Sequence, residues 1–293
     1  MNSEKKQKRR FKPFHYVPLS HLPFRYLPPN FATATSMVIG FLSIIFSIKG
    51  EFETAGWLVI LCVFLDGIDG MLARLLKAQS HFGIEFDSFS DFVSFGIAPP
   101  AIMLSYIVYG DFVTENVGHL MWIPICAAIF YSLMASIRLA RFNVQTVSLG
   151  DKIFQGIPTT ACAGILSAFF LTLVKYGNPL REPVHIITLC TSIYTIFGFL
   201  MVSRIPLLKL RKRKNIYVNT FERGLMLLCL LLAIARMLPD FLLAVGIINI
   251  SMGIYFGVKV QNAQKREREL SILSKRNTDE EKAEEGHKKP ARN

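Results

Sequence analysis

Runs of apolar residues long enough to cross a bilayer constrain this chain more than any other feature of its sequence. A membrane-spanning helix needs about 20 predominantly apolar residues, and 52% of this chain is hydrophobic, with a mean hydropathy of +0.38. The eight candidate spans are residues 31–48, 55–65 continuing into a polar segment, 92–109, 120–137, 157–174, 183–202, 224–238 and 240–258. The sequence therefore predicts an all-α integral membrane protein.

The distribution of lysine and arginine predicts the orientation of these spans. If the N-terminus is cytoplasmic and all eight runs cross, the cytoplasmic segments hold 29 of the 33 basic residues. Those segments are 1–30, 74–82, 138–156, 203–223 and 259–293. Because positive charge favours the cytoplasmic side, we expect both termini in the cytoplasm, with the protein in the bacterial inner membrane.

The formal net charge of +12 raises the question of a nucleic-acid partner. The most basic runs, KKQKRR at 5–10 and KLRKRK at 209–214, lie beside candidate spans. Basic segments in that position are expected from topology and from attraction to anionic lipid headgroups. We therefore predict contact with membrane lipids and no nucleic-acid partner.

Four aspartates, Asp66, Asp69, Asp87 and Asp91, lie at the ends of two apolar runs, where a charged side chain is costly. On helices, spacings of three or four residues place each pair on one face. If the two helices meet across a short hairpin, the four carboxylates come together and repel one another unless cations lie between them. The orientation predicted above puts this cluster at the cytoplasmic surface.

The composition of the segment predicts a metal site for a phosphorylated ligand. Carboxylate oxygens suit Mg2+ or Mn2+, and four carboxylates suit two ions better than one. Small residues on the same faces, Gly70, Ala73 and Gly83, leave space for a bulky ligand, and Arg74 supplies a planar cation for phosphate. An ion path in a membrane transporter is an alternative, but it would place charges near the bilayer midplane and in two halves.

Residues 66–91 resemble the signature of the CDP-alcohol phosphatidyltransferase family. The signature is D-x2-D-G-x2-A-R-x8-G-x3-D-x3-D, where x is any residue. Every fixed position is filled here, by Asp66, Asp69, Gly70, Ala73, Arg74, Gly83, Asp87 and Asp91. The resemblance implies a six-helix membrane core, followed here by two extra C-terminal transmembrane helices. It also implies a homodimer that uses divalent metal to transfer a phosphatidyl group from a CDP-linked donor to an alcohol, with release of CMP.

The resemblance also implies roles for individual residues. The metal ligands would be Asp66, Asp69, Asp87 and Asp91, and Asp91 would also be the catalytic base for the acceptor hydroxyl. The CDP site would be formed by Asp66, Asp69, Gly70, Ala73, Arg74 and Gly83. Prenyl transferases also hold a diphosphate with aspartates and Mg2+, but the spacing of glycine, alanine and arginine belongs to the other signature.

Sequence blocks outside the signature bear on the acceptor alcohol. The segments FVSFGIAPP after Asp91, RLARFN at 138–143, GIPTTACAG at 156–164 and MVSRIP at 201–206 resemble blocks of the integral-membrane type of phosphatidylserine synthase. That resemblance implies CDP-diacylglycerol and L-serine as substrates. Choline, glycerol phosphate and inositol phosphate remain alternative acceptors.

Four polar residues in these blocks are candidates for binding the acceptor or a phosphate: Arg138, Arg141, Asn143 and Arg204. Both substrates of such a reaction are anionic, so they need cations nearby. Alternatively, the arginines anchor the helices at the membrane surface and Asn143 caps a turn.

The predicted organisation divides the chain into five parts. They are a basic cytoplasmic segment at 1–30, the six-helix catalytic core at 31–206, a basic cytoplasmic loop at 207–223, two additional transmembrane helices at 224–258 and a charged cytoplasmic tail at 259–293.

Overall fold

The computed structural model describes residues 24–109, 120–146, 153–176, 183–208, 228–229, 231 and 235–287. A 3-10 turn, Phe24–Tyr26, leads into the first helix. The helices are α1 (Leu27–Ile48), α2 (Phe52–Leu75), α3 (His81–Asp91), α4 (Ala98–Tyr109), α5 (Trp122–Thr146), α6 (Thr159–Tyr176), α7 (Pro183–Val202) and α8 (Pro239–His287). A π-helical segment, Phe92–Ile97, joins α3 to α4, and two short strands are β1 (Ile153–Gln155) and β2 (Pro206–Leu208).

Six helices in the described part of the chain are long and apolar enough to cross a membrane. They are Phe24–Ile48, His81–Tyr109, Trp122–Val144, Thr159–Tyr176, Val184–Val202 and Pro239–Ala263. They coincide with six of the eight predicted spans, which confirms an all-helical, multi-pass membrane protein. The second predicted span lies inside α2, whose 24 residues extend about 36 Å although it is not one of the six.

The seventh predicted span, 224–238, lies largely outside the described residues, as do most of the N-terminal segment and the basic loop. The five-part division of the chain therefore stays a prediction.

Small residues allow α1 to pack closely against its neighbours. Ser36, Gly40, Ser43 and Ser47 are buried at spacings of three or four residues, so they form one ridge along α1. Across this ridge, Ser43 Oγ donates to the carbonyl of Ala55 in α2 at 2.8 Å. A tight turn at Gly50, which has a φ of +80°, connects the two helices as an antiparallel hairpin.

The π-helical segment begins immediately after Asp91 and packs against the same ridge. Its Ser94 is fully buried, and Ser94 Oγ donates to the carbonyl of Ser36 at 3.2 Å. A π-turn holds an extra residue relative to an α-turn and occurs frequently at functional sites. Here the extra residue changes which side chains face α1 between the aspartates of α3 and the apolar part of α4.

Helix α6 is the central helix of the bundle because it contributes to all three apolar clusters. Leu166 packs with residues of α4, α5 and α7, including Tyr131 and Ile186. Phe170 packs with residues of α2 and α4, and Leu171 belongs to a cluster with Trp57 and, at its edge, Phe241 of α8. Near the start of α6, Cys162 and Ala163 belong to the first two of these clusters, so the N-terminal end of the helix is also fixed by packing.

The two strands are the one kind of element that the all-α prediction missed. Strands β1 and β2 pair antiparallel, with Gln155 opposite Pro206, and thereby join the start of α6 to the end of α7. Gly156 follows with a φ of +79°, and an added Cβ there would collide with the carbonyl of Met201. Strands of three residues carry too little alternation to be detected by periodicity.

Helix α8 runs antiparallel to α6. Near the start of α8, Asp240 forms an ion pair of 2.8 Å with Lys175 at the end of α6 and accepts a hydrogen bond from the hydroxyl of Tyr176 at 2.9 Å. Further along α8, Gly253 lies against Leu207 of β2. The start of α8 and strand β2 therefore lie at opposite ends of α6.

We expect Gly40→Ala to destabilise the protein, because the new Cβ would lie 2.8 Å from Ser94 Cα and 2.9 Å from Ser94 Cβ. Overpacking of this kind costs about 1–3 kcal/mol, which would appear as a lower midpoint of thermal unfolding in detergent.

Gly164→Ala is the matched control, because its Cβ would meet Val63 Cγ2 at an ordinary 3.5 Å. Equal midpoints for the two variants would contradict the close approach of α1 and the π-helical segment.

Candidate active site

Three of the four signature aspartates converge between two helices. Asp66 and Asp69 lie near the end of α2, and Asp87 lies on α3, which begins after a short connection. Their carboxylate ligand atoms all lie within 4.8 Å of one another. The fourth, Asp91, interacts electrostatically with all three. The predicted meeting of the two helix faces is thus present in the structure.

Asp69 is held by a threonine that the sequence analysis did not single out. Thr33 Oγ1 donates to Asp69 Oδ2 at 2.8 Å and also lies 3.0 Å from the carbonyl oxygen of Pro29. The backbone of Thr33 accepts a hydrogen bond of 3.1 Å from Ser90 Oγ, beside Asp91. Thr33 therefore links α1 to both halves of the acidic cluster.

Asp66 is held from the other side of the bundle. Thr160 Oγ1, at the start of α6, donates to Asp66 Oδ2 at 3.3 Å. Thr160 lies in the block GIPTTACAG, but the sequence alone assigned no role to it. The two carboxylates of α2 are thus oriented by hydroxyl groups from two different helices.

Arg138 is a predicted acceptor-binding residue whose charge acts on the acidic cluster. Its guanidinium interacts electrostatically with Asp91 and Asp66, lies 5.7 Å from the centre of the Phe142 ring, and donates from Nη1 to Thr159 Oγ1 at 2.7 Å. Lys175 and Asp240 form the one ion pair found among the described residues. Arg138 is therefore close to the carboxylates without being paired to one of them.

The small residues and the arginine of the signature leave the entrance of the site open. The nearest atoms to a Cβ added at Gly70 would be those of the Arg74 guanidinium, at 3.9 Å, so there is open space beside Gly70. Arg74 itself is exposed. Ala73 is partly buried on the same helix. At Gly83, an added Cβ would lie 3.1 Å from Ser80 Oγ and 3.4 Å from Asn30 Oδ1. Asn30, another residue not singled out from the sequence, therefore borders the predicted CDP site.

The remaining three candidates differ in their surroundings. Arg141 donates from Nη1 to the carbonyl of Val202 at 2.9 Å and so contacts the C-terminal end of α7, where a cation is favourable. Asn143 Nδ2 donates to Ser88 Oγ at 3.0 Å, next to Asp87. Arg204 is exposed. A role for these residues in binding the acceptor stays a prediction, as it does for Arg138, whose guanidinium interacts electrostatically with Asp91 and Asp66.

The chemistry of the donor set fits a hard divalent cation. Three carboxylates within 4.8 Å supply the oxygen ligands that such ions prefer, and two of the three are oriented by hydroxyl donors. The acidic cluster could therefore bind a metal ion.

We expect Thr33→Val to weaken Mn2+ binding about tenfold, because loss of an outer hydrogen bond to a metal ligand typically costs 10- to 100-fold in metal affinity. The measurement is titration of the purified protein with Mn2+, with free Mn2+ followed by electron paramagnetic resonance.

Thr35→Val is the matched control, because Thr35 Oγ1 donates only to the carbonyl of Phe31 in its own helix. If the two variants bind Mn2+ with equal affinity, Thr33 does not orient a metal ligand.

Comparison with known proteins identifies the family. The model of the CDP-alcohol phosphatidyltransferase family matches residues 26–197, which include α1 to α6 and most of α7. The CDP-diacylglycerol–serine O-phosphatidyltransferase of Helicobacter pylori is 37% identical over 193 residues, 64% of this chain and 75% of the relative. The same-named protein of Mycobacterium bovis is 28% identical over 239 residues, 80% of this chain and 78% of the relative.

An archaeal relative belongs to the same group of matches. The archaetidylserine synthase of Methanothermobacter thermautotrophicus is 36% identical over 146 residues, 49% of this chain and 58% of the relative. Together with the match of the family model and the convergence of the signature aspartates, these similarities establish that the chain belongs to the CDP-alcohol phosphatidyltransferase family.

Proposed function

We propose that this protein transfers the phosphatidyl group from CDP-diacylglycerol to L-serine, forming phosphatidylserine and CMP. The observation that carries the choice of an anionic acceptor is the position of Arg138, a half-buried guanidinium near the acidic cluster that is held by a neutral hydroxyl group. A guanidinium matches the carboxylate of an amino acid in charge and in geometry. Choline, a cation, would gain nothing from it.

The names of the relatives support serine as the acceptor. The relatives from Helicobacter pylori and Mycobacterium bovis are named for the transfer of a phosphatidyl group to serine, and the archaeal relative is named for a serine lipid of a different kind. The family assignment also disfavours prenyl transfer and ion transport, the two alternatives from other classes.

The proposed donor site lies at the open side of the acidic cluster. Gly70, Ala73 and Gly83 leave room for the nucleotide, and the exposed Arg74 meets a phosphate. The carboxylates Asp66 and Asp69 border the same space. The acyl chains of the donor would stay in the bilayer while its nucleotide lies at the membrane surface.

In the proposed reaction, the serine hydroxyl attacks the phosphorus that carries diacylglycerol. The new P–O bond forms as the bond to CMP breaks, and Asp91 accepts the hydroxyl proton on a carboxylate oxygen. Asp66, Asp69, Asp87 and Asp91 would hold two Mg2+ or Mn2+ ions, which supply positive charge that offsets the charge developing on the phosphates. Arg138 would bind the serine carboxylate and orient the hydroxyl toward the donor.

The cellular setting is part of the proposal. We propose a homodimer in the bacterial inner membrane, with the active site and both termini facing the cytoplasm. The bias of lysine and arginine supports this orientation. In the structure, Lys175, which this orientation puts on the far side, lies at the opposite end of α6 from Thr160 and the aspartates.

We expect purified protein with CDP-diacylglycerol and Mn2+ or Mg2+ to release CMP and form phosphatidylserine when serine is added, and to lose this activity with a chelator. The measurement compares radiolabelled serine, choline, glycerol phosphate and inositol phosphate in parallel. Lipid product from another alcohol but not from serine would replace the proposed acceptor, and activity that is unaffected by the chelator would contradict the metal site.

We expect Asp91→Asn to lower turnover by at least a hundredfold, because an amide cannot accept the hydroxyl proton and general base catalysis typically contributes 10²- to 10⁴-fold. Nucleotide binding, measured by retention of radiolabelled CDP-diacylglycerol, should persist in part. Glu53→Gln, the same acid-to-amide change at an exposed position near the start of α2, is the control. Near-normal turnover in Asp91→Asn would remove Asp91 from the role of base.

A further inference from the structure

The first two residues of α6 hold side chains on two sides of the active site. Thr159 Oγ1 accepts a hydrogen bond from Arg138 of α5 at 2.7 Å, whereas Thr160 Oγ1 donates to Asp66 of α2 at 3.3 Å. Successive residues of a helix point about 100° apart. Adjacent threonines at the start of a central helix can therefore serve helices on different sides of it.

The start of α6 is rigid enough to position other groups. The amide of Gly156 donates to the carbonyl of Ile205 at 2.9 Å, and that of Ile157 donates to the carbonyl of Leu200 at 3.2 Å. These bonds tie the turn before α6 to the end of α7, next to the paired strands. Thr159 itself is completely buried.

Thr159 keeps Arg138 from closing onto the aspartates. A half-buried guanidinium near carboxylates commonly forms a direct, charge-assisted ion pair. Within the described residues, however, the hydrogen bond of Arg138 goes to Thr159, and no ion pair joins it to Asp66 or Asp91. The hydroxyl oxygen satisfies one donor of the guanidinium without neutralising its charge, which stays available to an anionic ligand.

We infer that Thr159 and Thr160 are positioning residues that orient two different side chains of the active site, Arg138 and Asp66. Thr159 holds Arg138 in place for the carboxylate of an amino-acid acceptor, and this half of the inference rests on the proposed function. Thr160 orients Asp66 as a ligand for a divalent cation, and this half rests only on the acidic cluster. Through the two threonines, helix α6 sets the acceptor side and the metal side of the site relative to each other.

The test compares four variants of the full-length protein in detergent: T159V, T159S, T160V and T195V. Valine keeps the shape of threonine and removes its hydroxyl, and serine restores the hydroxyl at position 159. T195V is the control, because Thr195 Oγ1 donates to the carbonyl of Thr191 within α7. The measurements are KM for serine, KM for CDP-diacylglycerol and Mn2+ affinity by electron paramagnetic resonance without substrates.

We expect T159V to raise KM for serine about tenfold or more and to leave the donor KM and Mn2+ affinity within about twofold, since loss of one hydrogen bond to a charged group has roughly this effect. T159S should recover most of the loss. T160V should weaken Mn2+ binding about tenfold, with little change in KM for serine at saturating metal. T195V should match the wild type in all three measurements.

Two results would overturn the inference while the proposed function stands. The first is an unchanged KM for serine in T159V, provided that the wild-type protein uses serine. The other is a T159V or T160V variant that shifts all three quantities together, which indicates general damage. If the wild-type protein does not use serine, the proposed function is overturned, and so is the role of Thr159 in acceptor binding. The Mn2+ affinity of T160V still tests whether Thr160 orients a metal ligand. If T159V does not purify, T159A takes its place in the same measurements.

Discussion

Repulsion among closely spaced carboxylates is the constraint that the rest of this site must offset. Two like charges 4 Å apart repel by about 1 kcal/mol in water and by about 4 kcal/mol near a protein surface. The ligand atoms of Asp66, Asp69 and Asp87 lie within 4.8 Å of one another at the edge of an apolar bundle. The surrounding protein supplies hydroxyl donors to two of these carboxylates and a guanidinium nearby, but no direct ion pair to these aspartates among the described residues. Such a cluster is stabilised most by the cations that it is suited to bind.

Apolar packing remote from the aspartates holds this arrangement in place. Helix α6 contributes to three apolar clusters, so its first turn cannot shift without disturbing contacts with α2, α5 and α7. Helix α1 reaches the site through a ridge of small residues that lets its backbone approach α2 and the π-helical segment. The membrane provides little drive for helix association, so close packing of this kind and hydrogen bonds between helices carry much of the stability.

Local patterns predicted most of this architecture. The apolar runs predicted the helices, and the spacing of the aspartates predicted that their side chains share a face, because both depend only on the helical period. The roles of Thr33 and Thr160 could not be predicted in this way. They lie 36 and 94 residues from the aspartates that they contact, so their importance depends on which helices become neighbours in the folded chain. The paired strands and the π-helical segment are likewise too short to leave a periodic pattern.

The π-helical segment makes the register of one long helix depend on a single residue. Because a π-turn is an α-turn with one residue added, loss of one residue between positions 92 and 97 could be absorbed by a return to α-helical geometry. Asp91 would keep its place on α3, and α4 would keep its apolar contacts, while the contact between Ser94 and Ser36 would be lost. A change of length by one residue at this turn would therefore leave the acidic cluster in place, but it would disturb the core at Phe95, which is completely buried within the segment.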